Sequence, residues 1–88
     1  MVRPGERYRH YKGKEIIVNT VCKAPVDVLK GEKAAPWMHA IATDDIKKGE
    51  EVVFYLELSD KTSWARPLRI FEEVLGETTK FYRFEKIA

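Results

Sequence analysis

The sequence predicts a mainly β fold, one small barrel over residues 1–88 with a short helix or helical turn near the C-terminal end. Three observations predict it. Runs of β-branched and aromatic residues follow a period of two. Glycine and proline punctuate the chain at short intervals. Only one segment, after Pro67, carries a helical stripe. Short strands closed by turns, with so little helix, are the composition of a small β-barrel.

The elements follow in order. Glu6–Lys12 reads as a strand ending at Gly13, with Tyr8, His10 and Lys12 on one face and Arg7, Arg9 and Tyr11 on the other. Lys14 opens Glu15–Lys23, whose Ile16, Ile17, Val18, Thr20 and Val21 suit a buried central strand. A turn at Gly13 makes the two a hairpin. Residues 24–38 then leave the strand pattern, punctuated by Pro25, Gly31 and Pro36, and a helical turn is expected around Val26–Lys30. Trp37–Thr43 is extended, with Trp37, His39 and Ile41 on one face. Asp44 to Gly49 is a polar turn. In Glu51–Leu58, Val52, Phe54, Leu56 and Leu58 alternate with Val53, Tyr55 and Glu57. A tight turn at Ser59–Lys61 leads into Thr62–Ala65. Pro67 stands where a first helical residue would, Gly76 where a helix would stop, and Leu68, Phe71 and Leu75 form one stripe. Lys80–Lys86 returns to strand.

Composition bounds the function. The 88 residues are 44% hydrophobic and 34% charged, which is globular rather than disordered. Net charge is only +2, so no strongly electrostatic partner is demanded. The charge is uneven, however. Arg3, Arg7, Arg9, Lys12 and Lys14 face Glu6 alone in the first fourteen residues, beside Tyr8 and Tyr11. A single cysteine excludes an internal disulfide and a multi-cysteine zinc site. No apolar run approaches a membrane span and no leader pattern opens the chain, so a soluble, reduced, cytoplasmic protein is expected.

Two blocks, Tyr8-Arg9-His10-Tyr11-Lys12-Gly13 and Trp64-Ala65-Arg66-Pro67-Leu68 followed by Phe71, resemble a family of short bacterial proteins. It is the domain-of-unknown-function family numbered sixteen fifty-three. Val52-Val53-Phe54-Tyr55 and Leu58 fit the strand before the second block. The resemblance implies an SH3-like barrel and no established activity. It marks Tyr8, His10, Tyr11, Trp64, Arg66 and Pro67 as signature residues. Two departures stand out: Thr43-Asp44-Asp45-Ile46 occupies the place of a His-Ser-Glu-Thr-like turn, and the stretch from Val18 to Trp37 is longer than in the family.

Catalytic chemistry finds little footing. His10, His39 and Cys22 have no chelating spacing, so no metal and no cofactor is expected. Cys22 closes an apolar strand, where a thiol behaves as a small hydrophobe. Ser59 and Ser63 lack a Gly-x-Ser-x-Gly context. The carboxylate pairs Asp44/Asp45, Glu50/Glu51 and Glu72/Glu73 are neighbours in sequence and would point apart on a strand. The glycines form no phosphate-cradling motif. No catalytic residue is assigned, and a non-enzymatic binding module is expected.

The leading expectation is weak recognition of RNA or single-stranded nucleic acid by Arg7, Arg9 and Tyr11 together with Trp64 and Arg66, since cations reach phosphates and rings stack on bases. The opposing reading makes the same residues framework: aromatic packing, and a basic edge that discourages pairing. A protein–protein module, using the barrel rim or the 24–38 excursion, is the alternative. A third is a small-molecule-binding barrel using His10, Trp64 and Arg66. The ligand and the oligomeric state stay open at this level. Val26, Val28, Leu29, Trp37 and Met38 are expected to fold back and enlarge a small core.

Overall fold

A computed structural model describes residues 1–35, 38–76 and 81–88, and of Met38 the backbone alone. The expectations for Trp37 and Lys80 therefore lie outside the described residues. Among these the strands are β1 Arg7–His10, β2 Glu15–Lys23, β3 Lys33–Ala35, β4 Met38–Ala42, β5 Glu51–Glu57, β6 Ser63–Pro67, β7 Val74–Leu75, β8 Phe81–Tyr82 and β9 Phe84–Lys86. The helix, α1, is a single turn, Leu68–Phe71.

Seven strands form one sheet in the order β3-β4-β6-β5-β2-β1-β9, and β7 pairs with β8 separately. All neighbours are antiparallel except β4 and β6. The ladder is not closed: β3 and β9, three residues each, end it. The fold is thus mainly β, with a mixed open sheet.

The first hairpin forms as the sequence predicts. Gly13 has a φ of 101°, a backbone that side chains rarely adopt, and its N–H donates to the His10 carbonyl at 2.7 Å. The β2 strand lies between β1 and β5. Its register with β5 shifts between Val18, opposite Tyr55, and Thr20, opposite Phe54, leaving Asn19 as the extra residue of a bulge. The bulge has a consequence for packing. Ile16 and Val18 face one side, and Val21, odd-numbered, returns to that same side.

Both sides of the sheet are covered, which is why Val52, Val53, Phe54 and Tyr55 are all buried. One core holds Val2, Tyr8, Ile16, Val18, Val53, Tyr55, Phe71 and Phe84, beneath α1 and the chain ends. The other holds Val52, Phe54 and Ala65 against Ala24, Val28, Ala34, Ala35, Ala40, Ala42 and Ile46. Residues 24–35 fold back through Ala24, Val28, Ala34 and Ala35, whereas Val26 and Leu29, expected to enlarge the core, are exposed, and the same expectation for Trp37 and the Met38 side chain lies outside the described residues. Six residues of this core, Ala24, Ala34, Ala35, Ala40, Ala42 and Ala65, are alanines, whose small side chains let the covering segment lie close to the sheet.

Two expectations are corrected. Val26–Lys30 makes no helical turn. Val28 and Ile46 exchange two backbone hydrogen bonds of 2.8 Å, and the side chains of Asp27, Glu32 and Asp45 accept from the amides of Lys48, Leu29 and Lys30. Acidic side chains that satisfy local amides compete with helix formation. The helix after Pro67 is also shorter than its stripe. Pro67 keeps an extended ψ of 137° as the last residue of β6, and Leu75 pairs with Phe81 instead of continuing the helix.

Candidate functional site

Register sorts the sequence-predicted site residues onto two faces. Tyr8 lies opposite Ile16, which lies opposite Glu57, while Tyr55 lies opposite Trp64 and Val53 opposite Arg66. Cross-strand partners share a face. Tyr8, His10, Trp64 and Arg66 therefore stand on the aromatic-core side. Arg7 lies opposite Ile17, then Leu56 and Ser63, on the other side. Arg9 shares that side. The structure brings His10 and Arg66 together, with Trp64 on the same face, and sets Arg7 apart from them, while Arg9 borders a recess with His10 and Tyr11.

The outer face of β1 is also close to neutral. Arg9 sits between Glu15 on β2 and Glu85 on β9, and Arg7 Nη2 lies 3.3 Å from Glu15 Oε1. Opposite charges across strands stabilise pairing modestly. Arg7 is better explained by that ladder than by a ligand.

Trp64 is half-buried against the aromatic core, and its indole N–H donates to Thr62 Oγ1 at 2.9 Å. Thr62 in turn donates to Asp60 Oδ1 at 2.6 Å. The polar end of the ring is thereby satisfied within the turn, and Trp64 is framework.

Arg66 is held differently. Its side chain is 15% exposed, its Nε donates to the Tyr55 hydroxyl at 3.3 Å, and its guanidinium carbon lies 5.3 Å from the centre of the Phe84 ring. Its carboxylate neighbour, Asp44, is 4.0 Å from Nη1, beyond hydrogen-bond reach. The cation is thus stacked and oriented but weakly neutralised.

His10 packs on Phe84, ring centres 5.0 Å apart, and on Tyr11 at 4.5 Å. Its Nδ1 accepts the Lys12 amide N–H at 3.2 Å, which leaves Nε2 to carry the proton. Burial, then the nearby charges of Arg66, Arg83, Lys12 and Lys14, push its pKa down to about 4. The imidazole is neutral at physiological pH.

Two recesses of about 240 Å³ share His10 as a wall. The first is basic, lined by His10, Lys12, Lys14, Glu57 and Arg66 over Ile16, Tyr55 and Phe84. The second is aromatic, formed by Arg9, His10, Tyr11, Phe81, Tyr82 and Glu85. Tyr11, Phe81 and Tyr82 are 46%, 45% and 61% exposed. The Tyr11 and Phe81 rings lie 5.9 Å apart, and Lys12 Nζ stands 5.7 Å over Tyr11.

Sequence reasoning missed Phe81, Tyr82, Tyr55 and Phe84 as site residues. No local signal could have supplied them, because β8 and β9 reach the first hairpin only through long-range pairing. Lys12 was legible on the period-two face of Tyr8 and His10, whereas Lys14 joins them across the Gly13 turn, its carbonyl accepting the His10 amide at 2.7 Å. Cys22 packs with the alanine-rich cluster, on the face opposite His10. Among the described residues no three His, Cys, Asp or Glu side chains gather as metal ligands, and no helix is long and apolar enough to cross a membrane. In comparisons with known proteins, no family model, no curated protein and no solved structure matches the chain.

Proposed function

We propose that the protein is a non-enzymatic binding module for single-stranded nucleic acid, RNA first, gripped by the β1–β2 turn and the Phe81–Tyr82 strand. One observation carries the reading: Tyr11 and Phe81 are exposed neighbours, their ring centres 5.9 Å apart and their planes tilted by 47°, and Lys12 stands over the Tyr11 ring. Every base has a π-face, so such a platform suits single strands, while Lys12, Lys14 and Arg66 meet the backbone. Relative to the composition-based expectation, weight moves from Arg7 and Trp64 to Tyr11, Lys12 and Phe81. An SH3-like coiling of the open sheet, and kinship with the family that the two signature blocks resemble, belong to the same proposal.

Fluorescence anisotropy with labelled single-stranded RNA and DNA over a salt series tests it. Binding weakens with salt, and Tyr11→Ala or Phe81→Ala each weakens it by ~1–3 kcal/mol, the worth of one base stacked on an aromatic ring. Arg7→Ala changes it little. No binding at low salt, or binding indifferent to Tyr11 and Phe81, overturns the proposal.

Exposed Val26 and Leu29 on the excursion favour a second reading, a protein contact on the opposite side of the sheet. A Val26→Ser, Leu29→Ser variant that loses an oligomer seen by light scattering would favour it, and a monomeric parent protein would weigh against it.

A further inference from the structure

We propose that the basic recess beside His10 is a site for a phosphomonoester group, the phosphorylated end of the strand whose neighbouring base stacks in the aromatic recess. The inference rests on the nucleic-acid reading and gives it a polarity, binding at an end rather than along a chain.

Size and charge make the argument. A recess of about 240 Å³ is below the roughly 300–1,000 Å³ that encloses a drug-sized ligand, so it suits one small group and not a whole nucleotide. Its lining carries three cations, Lys12, Lys14 and Arg66, against one carboxylate, Glu57. That carboxylate is already engaged with Lys14 at 3.4 Å. A phosphomonoester carries about −1.5 to −2 at neutral pH and offers three acceptor oxygens, whereas an internal phosphodiester carries only −1. The lining's surplus of two positive charges matches the monoester.

Arg66 supplies the second part. A guanidinium this buried is costly unless paired, yet its nearest carboxylate is 4.0 Å away and its Nε is spent on a neutral hydroxyl. Tyr55 and Phe84 fix the plane of the guanidinium from two sides. An oriented, under-neutralised arginine is suited to receive phosphate oxygens through charge-assisted bonds. The His10 imidazole adds an Nε2–H donor in the wall that the two recesses share. Phosphate and base would then lie on either side of His10, one in each recess.

The test uses one short labelled RNA in three forms, with a 5′-phosphate, a 3′-phosphate or hydroxyls at both ends, and an unlabelled nucleoside monophosphate as competitor. One phosphorylated end is expected to bind about tenfold or more tightly than the hydroxyl form, the scale of one charge-assisted hydrogen bond. Lys14→Met, on an exposed side chain, is expected to abolish most of the difference in affinity between the phosphorylated and hydroxyl forms. Arg66→Lys should do the same if it folds, and Lys14→Met carries the test if it does not. Equal affinity for all three forms overturns the terminal site and leaves the strand reading standing. No strand binding together with saturable binding of the monophosphate keeps the phosphate site and overturns its assignment to a strand end. Binding of neither overturns both.

Discussion

At position 10 an imidazole is held neutral by packing on Phe84 and by the cations around it, and this fixes part of the protein's response to acid. His10 titrates near 4 in the folded chain against 6.5 unfolded. The unfolded state therefore takes up a proton first, and stability present above about 6.5 is lost as pH falls toward 4. Glu6 acts lower. Lys86 at 2.8 Å, then the Arg3 amide and the Tyr8 hydroxyl, hold its carboxyl down to about 2 from 4.5, so its contribution disappears below about 4.5. Tyr8 works from the other end: burial and then Glu6 raise its hydroxyl to about 12, and its contribution is lost as pH climbs past 10. Thermal melts across pH should show a plateau between about 6.5 and 10. His10→Gln should remove the decline between 6.5 and 4.5 and leave the steeper loss below it. A variant that keeps the full decline would contradict a neutral His10.

At the scale of elements, two features separate what period-two reading could and could not deliver. The limits of β2 were legible to the residue, because five β-branched side chains follow a glycine turn. Its facing was not, because the bulge at Asn19 changes the phase midway and leaves no mark in composition. Residues 24–35 were recognised as an excursion that folds back, but the residues that carry it were not, since Val26 and Leu29 stay exposed and the burial rests on Val28 and on alanines, which give little hydrophobic signal. Across three adjacent strands Ala42, Ala65 and Phe54 lie in register, with Ala65 fully buried. Ala65→Leu should force the covering segment, residues 24–35, away from the sheet and cost about 1–3 kcal/mol, the usual scale of overpacking. Chemical denaturation would measure it, and a neutral result would mean that the two layers are looser than their spacing implies. The helix after Pro67 shows the opposite error. Its stripe was real, but Leu75 finds a strand partner in Phe81, and tertiary pairing overrides a short local propensity.

For the whole molecule, a sheet covered on both sides divides the surface into regions with different tasks. Residues 24–35 cover one side, α1 and the chain ends cover much of the other, and beside them His10, Lys14 and Arg66 line one recess and His10 and Tyr11 the next. The signature blocks were visible in sequence, yet whether their residues were framework or surface was not. Register and contact sort them: Tyr8 and Trp64 are packed, Arg7 belongs to a charge ladder, and Arg9, His10, Tyr11 and Arg66 line open recesses. Under the proposed nucleic-acid reading, a net charge of only +2 predicts a shallow salt dependence. The most direct measurement is a two-dimensional amide NMR titration with a short single-stranded RNA. The account predicts shifts confined to residues 9–14, Arg66 and 81–84, with Ile17, Leu56, Val26 and Leu29 unmoved. Shifts centred on the excursion, or none at all, would contradict it.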